Sequence, residues 1–287
     1  MRRVQDAWKQ KLRHAIDCDL RSFFDTVNHD RLLNQLRLKN GSGNASPRQR
    51  HSKSEAKSQR LRNEVKLLRL IGRYLRAGVV LPDGTREATP LGVPQGGPLS
   101  PLLANISLDP LDKEIERRGH VHARYADDFI ILVDGKMKAQ RVMESVTRFI
   151  ERKLKLVVNG TKSKSGPLIE SSFLGFCISS RGSIKWTAKA YARLKQRIKD
   201  ITRRNRGHTV QNVIDELRRY ATGWMNYFGI SRTYREVLEL DEWIRRRVRL
   251  YHWKQWKRPR ARRRNLIKLG ADPSEVHMAT RSRKGLP

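Results

Sequence analysis

Apolar and polar positions along this chain follow two different periods, and the change of period divides it. "HAIDCDL" (residues 14–20) alternates strictly, with Ala15, Asp17 and Asp19 on one face and Ile16, Cys18 and Leu20 on the other, which predicts a strand. The preceding 13 residues put Val4, Ala7 and Trp8 on one side of a short amphipathic helix. "FFDTVNHDRLLNQL" reads as a turn into a helix that starts near Asn28 or His29. Apolar residues at 65, 68, 70, 71, 74 and 75 mark another helix, with a glycine stop at Gly78. In "PLGVPQGGPLSPLLANISLDPLDKEIERRG" (90–119), Gly96 and Gly97 form a flexible loop, and Pro98 and Pro101 sit where a helix opens. Pro110 predicts a kink or break inside that helix. A hairpin at "ARYADDFIILV" (123–133) and a helix over 137–155 come next, then short strands at "LKLVV" (154–158) and "FLGFCISS" (173–180). This order predicts an α+β fold, an antiparallel sheet with helices packed on one face.

From residue 188 the pattern turns wholly helical. Apolar residues at 210, 213, 214, 217, 220, 221, 224, 227 and 228 form one stripe, and "LDEWIRRRVRLYHWKQWKR" repeats it with Leu240, Trp243, Ile244, Val248 and Tyr251. Three helices, at about 188–206, 209–228 and 240–257, predict a small bundle. Residues 39–60 hold no apolar side chain except two alanines, and they read as a mobile basic loop. The domains expected are 1–180, 181–258 and a loosely ordered basic tail at 259–287.

Charge narrows the function. The 287 residues carry 62 Lys/Arg against 28 Asp/Glu, a formal net charge of +34, which calls for a polyanionic partner. Residues 181–287 hold 29 of the bases and only 9 of the acids, so the second part reads as the grip. No apolar run reaches the length of a membrane span, and no signal-peptide pattern follows Met1. Cys18 and Cys177 sit in apolar segments and read as buried thiols of a reducing compartment. Charge alone fits a structural protein of a ribonucleoprotein as well as an enzyme.

The acids of the first part are more telling. Asp127 and Asp128 stand side by side at a hairpin tip. Either they serve turn chemistry, since Asp bonds nearby backbone readily, or a divalent cation relieves their repulsion. Asp19, on a second strand, favours the cation if the two strands are neighbours.

"YADD" (125–128), together with "DLRSFFD" (19–25) and "GVPQGGPLSPLLANISLDPLD" (92–112), resembles the palm of a reverse transcriptase. More narrowly, the chain is similar to the proteins encoded by bacterial group II introns. "FLGF" (173–176) resembles the family's primer grip, and "GWMNYFGI" (223–230) with the following basic helix resembles its all-helical maturase thumb. The resemblance implies RNA-directed DNA polymerase activity with a maturase role. Asp19, Asp127 and Asp128 would then be catalytic ligands of two Mg²⁺ (or Mn²⁺) ions. It implies nucleotide contacts from Phe24, whose ring would reject a 2′-hydroxyl, and from Gln95, Gly96, Gly97 and Lys162. Primer and template would meet Tyr125, Ala126, Phe173, Leu174 and Gly175, while Arg245, Arg246, Arg247 and Arg249 would grip RNA phosphates. Asp17 reads as structural.

The implied partners are intron RNA, an RNA template with a DNA primer, and deoxynucleoside triphosphates, in the bacterial cytoplasm and with no membrane. The family's fingers region does not precede residue 1, so the chain reads as an N-terminally truncated member. A catalytically inactive RNA-binding splicing cofactor is therefore the alternative. No Cys/His cluster follows the thumb, so an endonuclease domain is not expected.

Overall fold

A computed structural model describes residues 1–41, 54–80, 83–93, 96–231 and 233–281. The chain forms two compact units, Met1–Phe173 and Leu174–Pro287. The first opens with helix α1 (Arg2–Lys9), strand β1 (His14–Cys18), the single turn α2 (Phe23–Thr26), and helices α3 (His29–Gly41) and α4 (Ser54–Arg76). A small ribbon of β2 (Val79–Val80) and β3 (Arg86–Glu87) leads to α5 (Ser100–Arg117). The hairpin β4 (Val121–Tyr125) and β5 (Asp128–Val133), helix α6 (Lys136–Phe149) and strand β6 (Lys164–Pro167) complete it.

The four longer strands form one antiparallel sheet in the order β4-β5-β1-β6. Strand β1 lies between β5 and β6, although both follow it by more than 100 residues along the chain. Its register with β5 pairs His14 with Val133 and Cys18 with Phe129. Ile16, Cys18, Phe129, Ile131 and Val133 therefore share a face, and they enter one core with Leu32 and Leu33 of α3, Leu75 of α4, Leu103, Leu108, Leu111 and Ile115 of α5, and Ala139, Val142 and Val146 of α6. The strict alternation of β1 is thus the alternation between this helix-covered face and the face that carries Asp17.

Three expectations need correction. Helix α5 runs through Pro110 without a break. Proline removes one intrahelical bond there, but Leu103, Ala104, Leu108, Leu111 and Ile115 bury a continuous stripe on both sides of it. "LKLVV" is not a strand: Leu154 ends a π-helical turn (Ile150–Leu154), Lys155 takes φ 57°, and Val158 meets Leu20 in an isolated bridge. The strand beside β1 is instead the polar "KSGP" of β6, whose edge place tolerates proline and needs no apolar alternation. Of the loop expected over 39–60, α3 continues to Gly41 and α4 begins at Ser54; the rest lies outside the described residues.

The second unit begins with a hairpin of β7 (Phe176–Ile178) and β8 (Ile184–Trp186), followed by α7 (Ala188–Ile201), α8 (Val210–Phe228) and α9 (Tyr234–Gln255). Thr187 and Thr209 cap α7 and α8, each accepting a backbone N–H, from Ala190 and Asn212. Leu194, Ile198, Ile201, Val213, Leu217, Leu240 and Tyr251 form the core of these helices. Stacked or tilted rings of Trp186, Tyr191, Trp224, Phe228 and Phe176 join α7 and α8 to the hairpin. The stretch expected to be loosely ordered carries α10 (Pro259–Lys268) and α11 (Pro273–Arg281), with Val276 buried. Its basic residues hid a helix opened by a first-turn proline. No helix among the described residues is long and apolar enough to cross a membrane.

Candidate active site

The register of the sheet decides which acids meet. Tyr125 pairs with Asp128, so Ala126 and Asp127 are the two loop residues of the β4–β5 hairpin. Such tight loops need positive φ at their first central residue, and Ala126 supplies it with φ 55°. One step beyond the last β1–β5 pair, Cys18 with Phe129, stand Asp19 and Asp128. The result is an acidic corner. Burial first, and then the charges of Asp17, Asp127 and Asp19, push the Asp128 carboxyl up to about 6. Burial likewise raises Asp17, whose charge Lys164 opposes across the β1–β6 pair. Asp17, read as structural from sequence, therefore bears on the same corner.

Asp19 is tied to the turn that precedes β6. Its backbone N–H donates to Ser163 Oγ at 3.0 Å, and its carbonyl accepts the Asn159 N–H at 2.8 Å. Its carboxylate Oδ2 accepts from Asn159 Nδ2 at 3.1 Å and lies 3.6 Å from Lys162 Nζ. Lys162, singled out from sequence as a nucleotide contact, is thus brought to Asp19.

The hairpin tip is held from the other side by a side chain that the sequence did not single out. The guanidinium of Arg124 spans both carboxylate oxygens of Asp112 on α5 and donates to Asn105 Oδ1 at 2.8 Å. It also donates to the carbonyl of Ala126 at 2.9 Å, which pins the loop between Tyr125 and Asp128 to α5. Burial would raise the Asp112 carboxyl, but hydrogen bonds and charge from Arg124 and His122 outweigh it and hold the group at about 2.

A third piece of scaffold carries the glycine-rich loop. Gly92 donates its N–H to Val27 at 2.8 Å, and its carbonyl meets His29 Nε2 at 2.6 Å. Val93 donates to the carbonyl of Phe24. Gly92 has φ +89°, and a Cβ there would lie 2.8 Å from the Phe24 carbonyl oxygen. The loop is thereby fastened to α2, where Phe23 is core and Phe24 is half-buried, with the two rings edge to face at 5.3 Å. Gly96, at φ +81°, and Gly97 follow just before α5. Gln95 lies outside the described residues. Tyr125 is 68% exposed at the end of β4.

In the second unit, Leu174 and Gly175 both take positive φ, and Tyr227 donates its hydroxyl to the Leu174 carbonyl. Phe173 is buried at the end of the first unit. The four arginines of α9 differ. Arg246 is exposed and Arg249 half-buried, and Arg245 pairs with Asp241 at 2.7 Å. Arg247 donates to Thr202 Oγ1 at 2.6 Å and lies over the Trp243 ring. Next to it, Thr202, Arg203, Arg204, Asn205 and Lys254 line an open basic groove that the α9 pattern alone did not reveal.

Among the described residues, no three His, Cys, Asp or Glu side chains are gathered as a ligand set for a metal ion. The donor chemistry of the corner nevertheless suits a hard divalent cation. It offers carboxylate oxygens alone, and their mutual repulsion is already felt by Asp128.

Comparison with known proteins gives the corner its context. Residues 2–178 match the family "Reverse transcriptase (RNA-dependent DNA polymerase)", and residues 191–270 match "Group II intron, maturase-specific domain". Protein YkfC of Escherichia coli (strain K12) is 26% identical over 205 residues, covering 60% of this chain and 48% of YkfC. Group II intron-encoded protein LtrA of Lactococcus lactis subsp. cremoris is 27% identical over 251 residues, covering 63% of this chain and 38% of LtrA. The chain thus spans less than half the length of either relative. A solved telomerase from Candida albicans, in complex with a TWJ fragment of telomeric RNA, superimposes with a TM-score of 0.50 at 12% identity, over 96% of this chain and 51% of that one, a likeness of fold.

Proposed function

This chain belongs to the reverse transcriptase family and joins to it the maturase-specific domain of group II introns, and from that premise we propose that it is an RNA-directed DNA polymerase that also binds and helps fold intron RNA. The catalytic half is supported by Asp128, whose carboxyl is raised first by burial and then by the charges of Asp17, Asp127 and Asp19 beside it. In this reading Asp19, Asp127 and Asp128 would hold two Mg²⁺ ions. Such ions would supply Lewis-acid chemistry there, easing deprotonation of a primer 3′-hydroxyl and offsetting charge on the leaving pyrophosphate.

The chain's own residues do the positioning. The β4–β5 hairpin presents Asp127 and Asp128 with Tyr125 and Ala126 at the primer end. The loop at Gly96 and Gly97 lets backbone come close to template and incoming nucleotide, with Gln95 in the same stretch. Phe24, half-buried with its ring edge to face against Phe23, supports the sugar and excludes a 2′-hydroxyl. Lys162, beside Asp19, meets nucleotide phosphate. Phe173, Leu174 and Gly175 form the primer grip.

The RNA half rests on the basic face of the second unit. Arg246 and Arg249, with the groove at Arg203, Arg204 and Lys254, offer phosphate contacts that are strong, salt-sensitive and largely blind to sequence. Arg245 and Arg247 support that face through Asp241 and Thr202. The protein then works in the cytoplasm on intron RNA.

Primer extension on an RNA template with Mg²⁺ tests the catalytic half. The chain is expected to extend the primer, and the Asp127→Ala, Asp128→Ala double variant to lose this by a factor of at least 10³. Equal signals from the two proteins would remove the polymerase and leave RNA binding as the function.

A further inference from the structure

Asn159 opens the turn that faces Asp19, just before the turn residues 160–162, and every polar group it has is engaged. Its N–H donates to the Asp19 carbonyl at 2.8 Å, and its carbonyl accepts from the N–H groups of Lys162 at 3.2 Å and Ser163 at 2.8 Å. Its side-chain Oδ1 accepts from the N–H of Thr161 at 3.3 Å and from the Thr161 hydroxyl at 2.8 Å. Its Nδ2 donates to Asp19 Oδ2 at 3.1 Å. The amide can sit only this way round, because the Thr161 N–H is a pure donor and an ionised carboxylate a pure acceptor.

Lys162 approaches the same oxygen, Oδ2, at 3.6 Å, a Coulombic contact rather than a hydrogen bond, from a side chain that is 70% exposed. Exposed pairs of this kind are weak and do not hold a geometry. The amide fixes the Asp19 carboxylate; the lysine only shields it. Both act on Oδ2, and among the described residues Oδ1 accepts no hydrogen bond.

We propose that Asn159 is a positioning residue for Asp19, committing Oδ2 to the turn and keeping Oδ1 for a divalent cation, while Lys162 is a displaceable counter-ion that the cation competes against. This deepens the reading of Asp19 as a metal ligand and rests on it. A hydrogen-bond partner behind a ligating carboxylate contributes to affinity through orientation, commonly by a factor of 10 to 100. A neighbouring cation opposes it by a smaller factor.

Direct titration of the full chain with Mn²⁺, followed by electron paramagnetic resonance, reads this without any polymerase assay. Asn159→Ala is expected to weaken Mn²⁺ binding about tenfold. Thr161→Val, which loosens the same turn but leaves the donor to Asp19, is expected at wild-type affinity. Lys162→Met, a change on an exposed side chain that the fold does not depend on, is expected to tighten binding about two- to fivefold. Wild-type affinity in Asn159→Ala, alongside a loss in Asp19→Ala, would overturn the inference and spare the ligand reading. An equal loss in Thr161→Val would overturn it too, by tracing the effect to turn order. Unchanged or weaker binding in Lys162→Met overturns the counter-ion part. Wild-type binding by Asp19→Ala itself would remove both the inference and the ligand reading.

Discussion

Arg124 lays its guanidinium across the carboxylate of Asp112, and from that anchored position it also bonds the carbonyl of Ala126. The pair joins the middle of α5 to the loop that carries Asp127. With the arginine side chain only 10% exposed, neither charge is well solvated. Arg124→Ala would leave the half-buried Asp112 with only His122 beside it, at a cost of about 2–4 kcal/mol, the lower part of the range for broken buried pairs because His122 and water still reach Asp112. Thermal melting is expected to fall by roughly 5–10 °C. Arg124→Lys, which keeps charge but loses the fork, is expected to recover part of the stability and little of the primer extension. Full activity in Arg124→Lys would show that charge alone suffices.

The same pair predicts an acid limb. Asp112 is held at about 2, below its ordinary 3.8, so the native state binds its proton less readily than the unfolded chain. Its stabilising contribution is complete above about pH 4 and disappears as pH falls toward 2. Comparing denaturant midpoints of wild type and Asp112→Asn from pH 5 to pH 2.5 checks this: the gap between them is expected to narrow as pH drops. A gap that stays constant would mean that the carboxylate charge carries no stability.

Gly92 is where the glycine-rich loop touches the backbone of α2. Gly92→Ala combines a strained φ of +89° with a Cβ 2.8 Å from a carbonyl oxygen that cannot move alone. The expected penalty is about 2–3 kcal/mol. Because Val93 and His29 anchor the same junction, nucleotide KM is expected to rise along with it. Gly96→Ala is the contrast: its φ is also positive, but an added Cβ meets nothing within 4 Å, so it should lose less stability. Equal melting points for the two variants would contradict the clash.

On α9, neighbouring arginines are expected to separate by readout. Arg246→Ala and Arg249→Ala should lower RNA affinity and flatten its dependence on salt, each by about one unit of log–log slope. Arg247→Ala should chiefly lower the melting temperature, since Thr202 and the Lys199 carbonyl lose their partner. Filter binding across a salt series, beside calorimetric melting, distinguishes the two. Identical behaviour of all three variants would refute the division.

Much of this protein was legible in one dimension. The alternation of residues 14–20, the helical stripe of α8 and the neighbouring acids at 127 and 128 each follow from local rules of periodicity, and the resemblance of three ordered motifs pointed to the same family that residues 2–178 match. Local patterns also misled where packing overruled them. Pro110 lies inside an intact helix because the residues around it are buried together, and β6 forms from "KSGP" because β1 supplies the partner.

What no local pattern could contain is which distant groups share a volume. Cys18 opposite Phe129, Arg124 against Asp112, Gly92 under Phe24 and Asn159 behind Asp19 are all choices of strand register and loop docking. Such choices depend on the free energy of the whole core rather than on any window of residues. The sequence alone determined that carboxylates, glycines and arginines were present in a meaningful order. The tertiary structure decided which of them touch, because hydrogen bonds and Coulombic interactions act over a few ångströms of space regardless of separation along the chain.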